Sequence, residues 1–149
     1  VPGFAAWLAR ERESETSALI DASARSTLKA LDTPDWADDP ETAERVKGVL
    51  LPLAAYYFIE AKGSRGNPLD PVARFHLGNG AQLERLNFLG DRSEKGMQQS
   101  YGLMVNYLYA LDKIEANHEA FAEKGQVATS SAVRKMLPIR ALAEVSASA

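Results

Sequence analysis

"DPVARFHLGNGAQLERLNF", residues 70–88, contains a change of period that decides the fold class. Asp70 has the right side chain to cap a helix, and Pro71 suits its first position, where the missing N–H has no partner to lose. Gly78 and Gly80 then close a helix of about two turns, because glycine takes the backbone conformations that helix ends require. From Ala81 the pattern alternates. Leu83, Arg85 and Asn87 fall on one side of an extended chain, and Glu84, Leu86 and Phe88 on the other. A helix that runs directly into a strand makes the chain α+β, largely helical with strands towards its C-terminal half. "GLMVNYLYAL" (102–111) supplies the second strand. It is apolar and aromatic throughout, with Val105, Tyr107 and Tyr109 on one face and Met104, Asn106 and Leu108 on the other. That composition predicts a strand buried on both sides.

Working outward, the spacing predicts helices over 3–13 and 14–31, then a break at "DTPDWADDP" (32–40) whose Trp36 tucks onto the body. Asp39-Pro40 repeats the cap-and-proline signal and opens a long helix over 40–62. Val46, Val49, Leu50, Leu53, Tyr57 and Phe58 form its apolar stripe, and Pro52 is expected to kink it. "GDRSEKGMQQS" (90–100) reads as a polar loop. Residues 112–124 read as a helix stopped by Gly125, 130–137 as a second short helix, and "ALAEVSASA" (141–149) as a fraying tail. Two strands alone do not make a stable sheet. Either the helices cover them, or their partners lie outside this chain. The opening "VPGFAAWLAR", a turn signal without a methionine, reads either as a processed terminus or as the tail end of something longer, and the second reading agrees with partners outside this chain.

At 149 residues the chain has the length of one domain, and 46% apolar with 25% charged residues is ordinary globular composition. A net charge of −3 leaves no electrostatic footprint for nucleic acid or an anionic membrane. The absence of cysteine excludes disulfides, thiolate metal sites and a cysteine nucleophile. The longest apolar run, "VLLPLAAYYFI" (49–59), is too short to span a bilayer. No signal peptide is visible, so a cytoplasmic location is expected.

Five residues are candidates for chemistry. His76 lies between Phe75 and Leu77 near the end of its helix, where carbonyl dipoles favour an imidazolium. It reads either as a packed core histidine or as a general acid aimed into a cleft. Asn106, in the middle of an apolar strand, must find hydrogen bonds or cost free energy. Tyr109, like Tyr107, has a phenol to donate, or simply packs with a wet tip. Arg85 suits a phosphate or carboxylate, or a surface ion pair. Asn79 stands in "GNG", which lacks the frame of a phosphate loop. His118 reads as a solvated helix residue, and two histidines so far apart make a histidine metal site unexpected.

"NPLDPVARFHLGNGA" with Arg85-x-Asn87, Asp91 and "GLMVNYLY" resembles the C-terminal part of the malonyl-CoA decarboxylases, from the opening "VPGF" to about Leu137. The departures are small. The family often has Asn where this chain has Asp70, and Trp where it has Phe88. The resemblance implies a helical N-terminal domain that mediates homo-oligomerisation, and a catalytic domain with the mixed sheet of the GCN5-related acetyltransferases. It implies conversion of malonyl-CoA to acetyl-CoA and carbon dioxide, within fatty acid metabolism, without metal or organic cofactor. The family's histidine maps to His76 and its tyrosine to Tyr109. Asn79, Arg85 and Asn106 are expected to support the substrate site. The family's catalytic serine maps to no residue here, since its place is just ahead of the opening Pro-Gly-Phe; the glutamate and the CoA loop lie further upstream. Neither Ser64 nor Ser100 takes the serine's role. On this reading the chain's partners are the CoA thioesters and the rest of its own polypeptide, and the chain by itself is inactive. The alternatives are an acyl-CoA-binding module that has lost turnover, or an acyltransferase of the same fold.

Overall fold

Two Asp-Pro pairs start the two helices that frame the site. In the computed structural model, which describes residues 1–63 and 65–138, Asp39 accepts the Thr42 N–H and starts α3, Pro40–Ile59. Asp70 accepts the Ala73 N–H at 2.9 Å and starts α4, Pro71–Gly78. Before α3 come α1, Phe4–Glu13, then α2, Ala22–Leu28, and two single 3-10 turns, Lys29–Asp32 and Trp36–Asp38. The expected helix over 14–31 is thus broken. Asp21 caps α2 afresh by accepting from Ala24 N–H, and Ser17 hydrogen-bonds Glu11. The Arg25 guanidinium donates to the Arg12 and Ser14 carbonyls at the open end of α1. Side-chain bonds of this kind give the backbone an alternative to a continuous helix.

The core forms where α1 crosses α3. Phe4, Trp7 and Leu8 pack on Val46, Leu50, Leu53, Tyr57 and Phe58, all at most 5% exposed. The Trp7 and Tyr57 rings lie 5.2 Å apart. Helix α3 runs through Pro52 as one element. Trp36 is buried as expected, its ring 6.2 Å from Phe88.

Strands β1, Gln82–Asn87, and β2, Met104–Leu108, pair antiparallel. A bulge between Leu83 and Arg85 resets the alternation, so that Leu83 and Leu86 both face the core and Arg85 and Asn87 face away. The expectation that Leu83 shares a face with Arg85 is therefore corrected, because one extra residue flips every later side chain. Residues 128–130 cover the outer edge of β1: Leu83 N–H donates to the Ala128 carbonyl, and Ser130 N–H to that of Leu83. Among the described residues no strand covers the other edge of β2.

The expectation of burial on both faces of β2 is also corrected. Met104, Asn106 and Leu108 are exposed, while Val105 and Tyr107 are half-buried. Among the described residues the buried side chains of the pair, Leu83 and Leu86, lie on one face. Within the expected loop, α5, Glu94–Ser100, is a helix capped by the Ser93 hydroxyl. Helix α6, Ile114–Lys124, ends at Gly125 with φ 64°, as the sequence predicts. Helix α7, Ser131–Arg134, is shorter than the expected helix over 130–137. The tail expected to fray lies outside the described residues. Among the described residues no helix is long and apolar enough to cross a membrane.

Candidate active site

Helix α4 is held at both ends, and the two holds fix where His76 points. At the N-terminus, Asp70 is 1% exposed and caps with Oδ2. At the C-terminus, Asn79 donates its side-chain amide to the Phe75 carbonyl at 2.8 Å, and its own N–H lies on the last carbonyls. Gly80 follows at φ 89°, pressed so closely on α6 that a Cβ there would stand 2.4 Å from the Ile114 carbonyl oxygen. Helix α6 answers with His118, whose Nδ1–H donates to the Gly78 carbonyl, and with Asn117, which donates to that of Gly80. Asn79, expected near substrate, also caps the helix, with one hydrogen of its side-chain amide on the backbone.

Leu77 is buried and anchors the helix. Phe75 is 64% exposed, its ring 5.2 Å from the imidazole of His76 and 80° from its plane. On a two-turn helix packed on one side, neighbours in sequence point about 100° apart, so only one of the two residues flanking His76 can face the core.

His76 itself is half-buried between helix and sheet. Its Nδ1 lies 2.6 Å from the Tyr109 hydroxyl. Its ring stacks on Tyr107, with centroids 4.3 Å apart and planes 21° from parallel. Both tyrosines reach it because residues 107 and 109 share a face of an extended chain. Burial, and then the nearby Asp70 carboxylate, hold the Tyr107 phenol well above its ordinary range. The same two causes push Tyr57 up to about 12.

Arg85 and Asn106 are cross-strand neighbours on the opposite, exposed face, where the Asn106 side-chain oxygen accepts from Asn87. The structure thus brings His76 and Tyr109 together and leaves Arg85 and Asn106 across the sheet from them. Ser100 is 2% exposed and its hydroxyl bonds the Gly96 and Leu103 carbonyls, which is a structural duty. Among the described residues no group of three or more His, Cys, Asp or Glu gathers where a metal ion would sit.

The family model of the malonyl-CoA decarboxylase C-terminal domain matches residues 1–147. The chain belongs to the malonyl-CoA decarboxylase family. It is 34% identical over 151 residues to the mitochondrial malonyl-CoA decarboxylase of Anser anser anser, covering 89% of this chain and 30% of that protein. To the mitochondrial malonyl-CoA decarboxylase of Rattus norvegicus it is 32% identical, covering 92% and 31%. The crystal structure of malonyl-CoA decarboxylase from Rhodopseudomonas palustris superposes with a TM-score of 0.91 at 69% identity, over 93% of this chain and 32% of that one. The enzyme from Agrobacterium vitis gives 0.89 at 54%, over 93% and 34%. The chain therefore spans about a third of the length of these malonyl-CoA decarboxylases.

The sequence reading missed two residues of the site, Tyr107 as the ring under His76 and Asp70 as a buried charge behind it. The first was signalled by the shared face of Tyr107 and Tyr109. The second had no signal beyond the cap, since burial of an Asp depends on what packs over it.

Proposed function

We propose that this chain carries the histidine–tyrosine part of a site that converts malonyl-CoA to acetyl-CoA and carbon dioxide, within a longer polypeptide. The observation that supports it most is the 2.6 Å contact between Tyr109 Oη and His76 Nδ1. Cleavage of the carbon–carbon bond sends an electron pair into the thioester and leaves an enolate. The enolate needs donors aimed at its oxygen and a proton at its carbon. With the Tyr109 O–H donating, Nδ1 is the acceptor and the neutral ring carries its hydrogen on Nε2. Tyr109 thereby fixes the resting tautomer; a proton taken up from solvent on Nδ1, with the Tyr109 oxygen then accepting, makes the imidazolium whose Nε2–H passes to the enolate carbon and leaves the ring neutral. The serine, glutamate and CoA loop of the family belong to the part ahead of Val1. The uncovered edge of β2 suits continuation into a mixed, acetyltransferase-like sheet, and homo-oligomerisation belongs to the N-terminal domain.

The test is kinetic, on the polypeptide that carries this chain. His76→Ala lowers kcat by roughly 10²–10⁴-fold, the usual worth of general acid–base catalysis, with KM for malonyl-CoA within a few-fold. His76→Asn does nearly as badly, because an amide at neutral pH has no proton to give. Tyr109→Phe costs less. A binding module or a structural histidine gives the opposite pattern: thermal stability and CoA binding fall together in His76→Ala, and the Asn variant restores both.

A further inference from the structure

A single hydrogen bond to Nδ1 does not fix an imidazole. The second side-chain torsion of histidine is broad and roughly two-fold, so the ring can tilt about that bond and carry Nε2 with it. A second constraint comes from the strand. The Tyr107 ring lies face to face with His76, centroids 4.3 Å apart and planes within 21°, while Phe75 meets the imidazole edge-on from the solvent side at 5.2 Å.

Tyr107 is itself held. Its backbone pairs with Leu83 across the ladder, and Leu83 is fully buried. Its phenol lies close enough to Asp70 and Tyr57 to be perturbed by both, and these two are each 1% exposed. Asp70 also caps α4, the helix that carries His76. One buried carboxylate therefore caps the helix and lies near enough to be felt by the phenol of the ring that the helix's histidine rests on.

We propose that Tyr107 is a positioning residue: its ring face sets the plane of the His76 imidazole, so that Nε2 points away from Tyr109 and towards the reacting carbon. The two tyrosines divide the work. Tyr109 supplies a hydroxyl, and Tyr107 supplies a face. The Tyr107 phenol, held protonated by burial and by Asp70, is not a proton donor in this scheme. The proposal rests on His76 acting as the acid.

The experiment is a double-mutant cycle in the polypeptide that carries this chain, assayed with malonyl-CoA. Tyr107→Phe keeps the ring and retains kcat within about threefold. Tyr107→Leu removes the face and lowers kcat by about 10- to 100-fold, the usual cost of an ångström-scale misplacement, with KM within about threefold. Placed on His76→Ala, Tyr107→Leu has no further effect on turnover. Tyr107→Met, unbranched and flexible, repeats the measurement should the leucine variant fail to fold. A Phe variant as impaired as the Leu variant would assign the work to the hydroxyl and overturn the proposal. So would an equal loss from Tyr107→Leu with and without His76, or a loss of CoA binding in step with kcat, since both mark a merely structural ring. Full turnover by His76→Ala overturns the role of His76 as the acid, and no turnover by the wild-type polypeptide overturns the decarboxylation reading itself; no Tyr107 variant can mimic either result.

Discussion

Replacing Asp70 separates the cap from the charge. In Asp70→Ala the Ala73 N–H loses its acceptor at a position 1% exposed, where water cannot replace it. An N-cap removed from the surface of a helix costs about 1 kcal/mol, and a buried donor left without a partner costs about 1–3 kcal/mol. These describe the same lost bond and are not summed. A small return comes from removing Oδ1, which is buried and has no hydrogen-bond partner among the described residues. The expected loss is about 2 kcal/mol. Asp70→Asn keeps an acceptor for Ala73 and exchanges one unpartnered buried group at the Oδ1 position for another, so the expected change is within about 0.5 kcal/mol. With a urea m-value of about 2 kcal/mol per molar, the Ala variant shifts the midpoint down by about 1 M and the Asn variant hardly at all. Amide exchange at Ala73 gives the local reading, faster by more than about tenfold in Ala and near wild type in Asn. Equal midpoints for Asn and Ala would refute the cap argument and assign Asp70 a role that needs its charge. An Ala variant as stable as wild type would mean that Ala73 finds another acceptor and that the helix start is not pinned here.

Gly80→Ala places a Cβ 2.4 Å from the Ile114 carbonyl at φ 89°. Left-handed strain of about 1–2 kcal/mol plus overpacking of about 1–3 kcal/mol predicts a large drop in melting midpoint, and a neutral substitution would mean that α6 yields easily. The buried Lys62 amine has no hydrogen-bond partner among the described residues, and burial lowers its pKa below the usual lysine range. Between the folded and unfolded pKa values the unfolded chain binds the extra proton, so wild-type stability rises with pH through that alkaline window. Lys62→Met is therefore expected to be more stable than wild type at neutral pH, with the gain shrinking as pH climbs towards the ordinary lysine value; a gain independent of pH would assign it to packing alone. Ser100→Ala leaves two carbonyls without the hydroxyl and is expected to cost about 1 kcal/mol while kcat is unchanged. A lost turnover there would give Ser100 a chemical role.

The sequence by itself determined what depends on neighbours along the chain. The starts of α3 and α4 follow from Asp39-Pro40 and Asp70-Pro71, because capping and the fixed torsion of proline are local. The end of α6 follows from Gly125 for the same reason. The alternation that puts Tyr107 and Tyr109 on one face is also a local fact, and so was half of the site. Tertiary structure decided the rest. It broke the helix expected over 14–31, because side chains distant in sequence offered the backbone other partners. It inserted a bulge at Glu84, which no local pattern announces, and so turned Arg85 away from His76. It covered one face of the sheet and left Asn106 on the other, since burial depends on which element packs over a strand rather than on the strand's own composition. It brought His76 and Tyr109, separated in sequence by β1, α5 and β2, to 2.6 Å, because α4 and the β1–β2 pair share one core through Leu77 and Leu83.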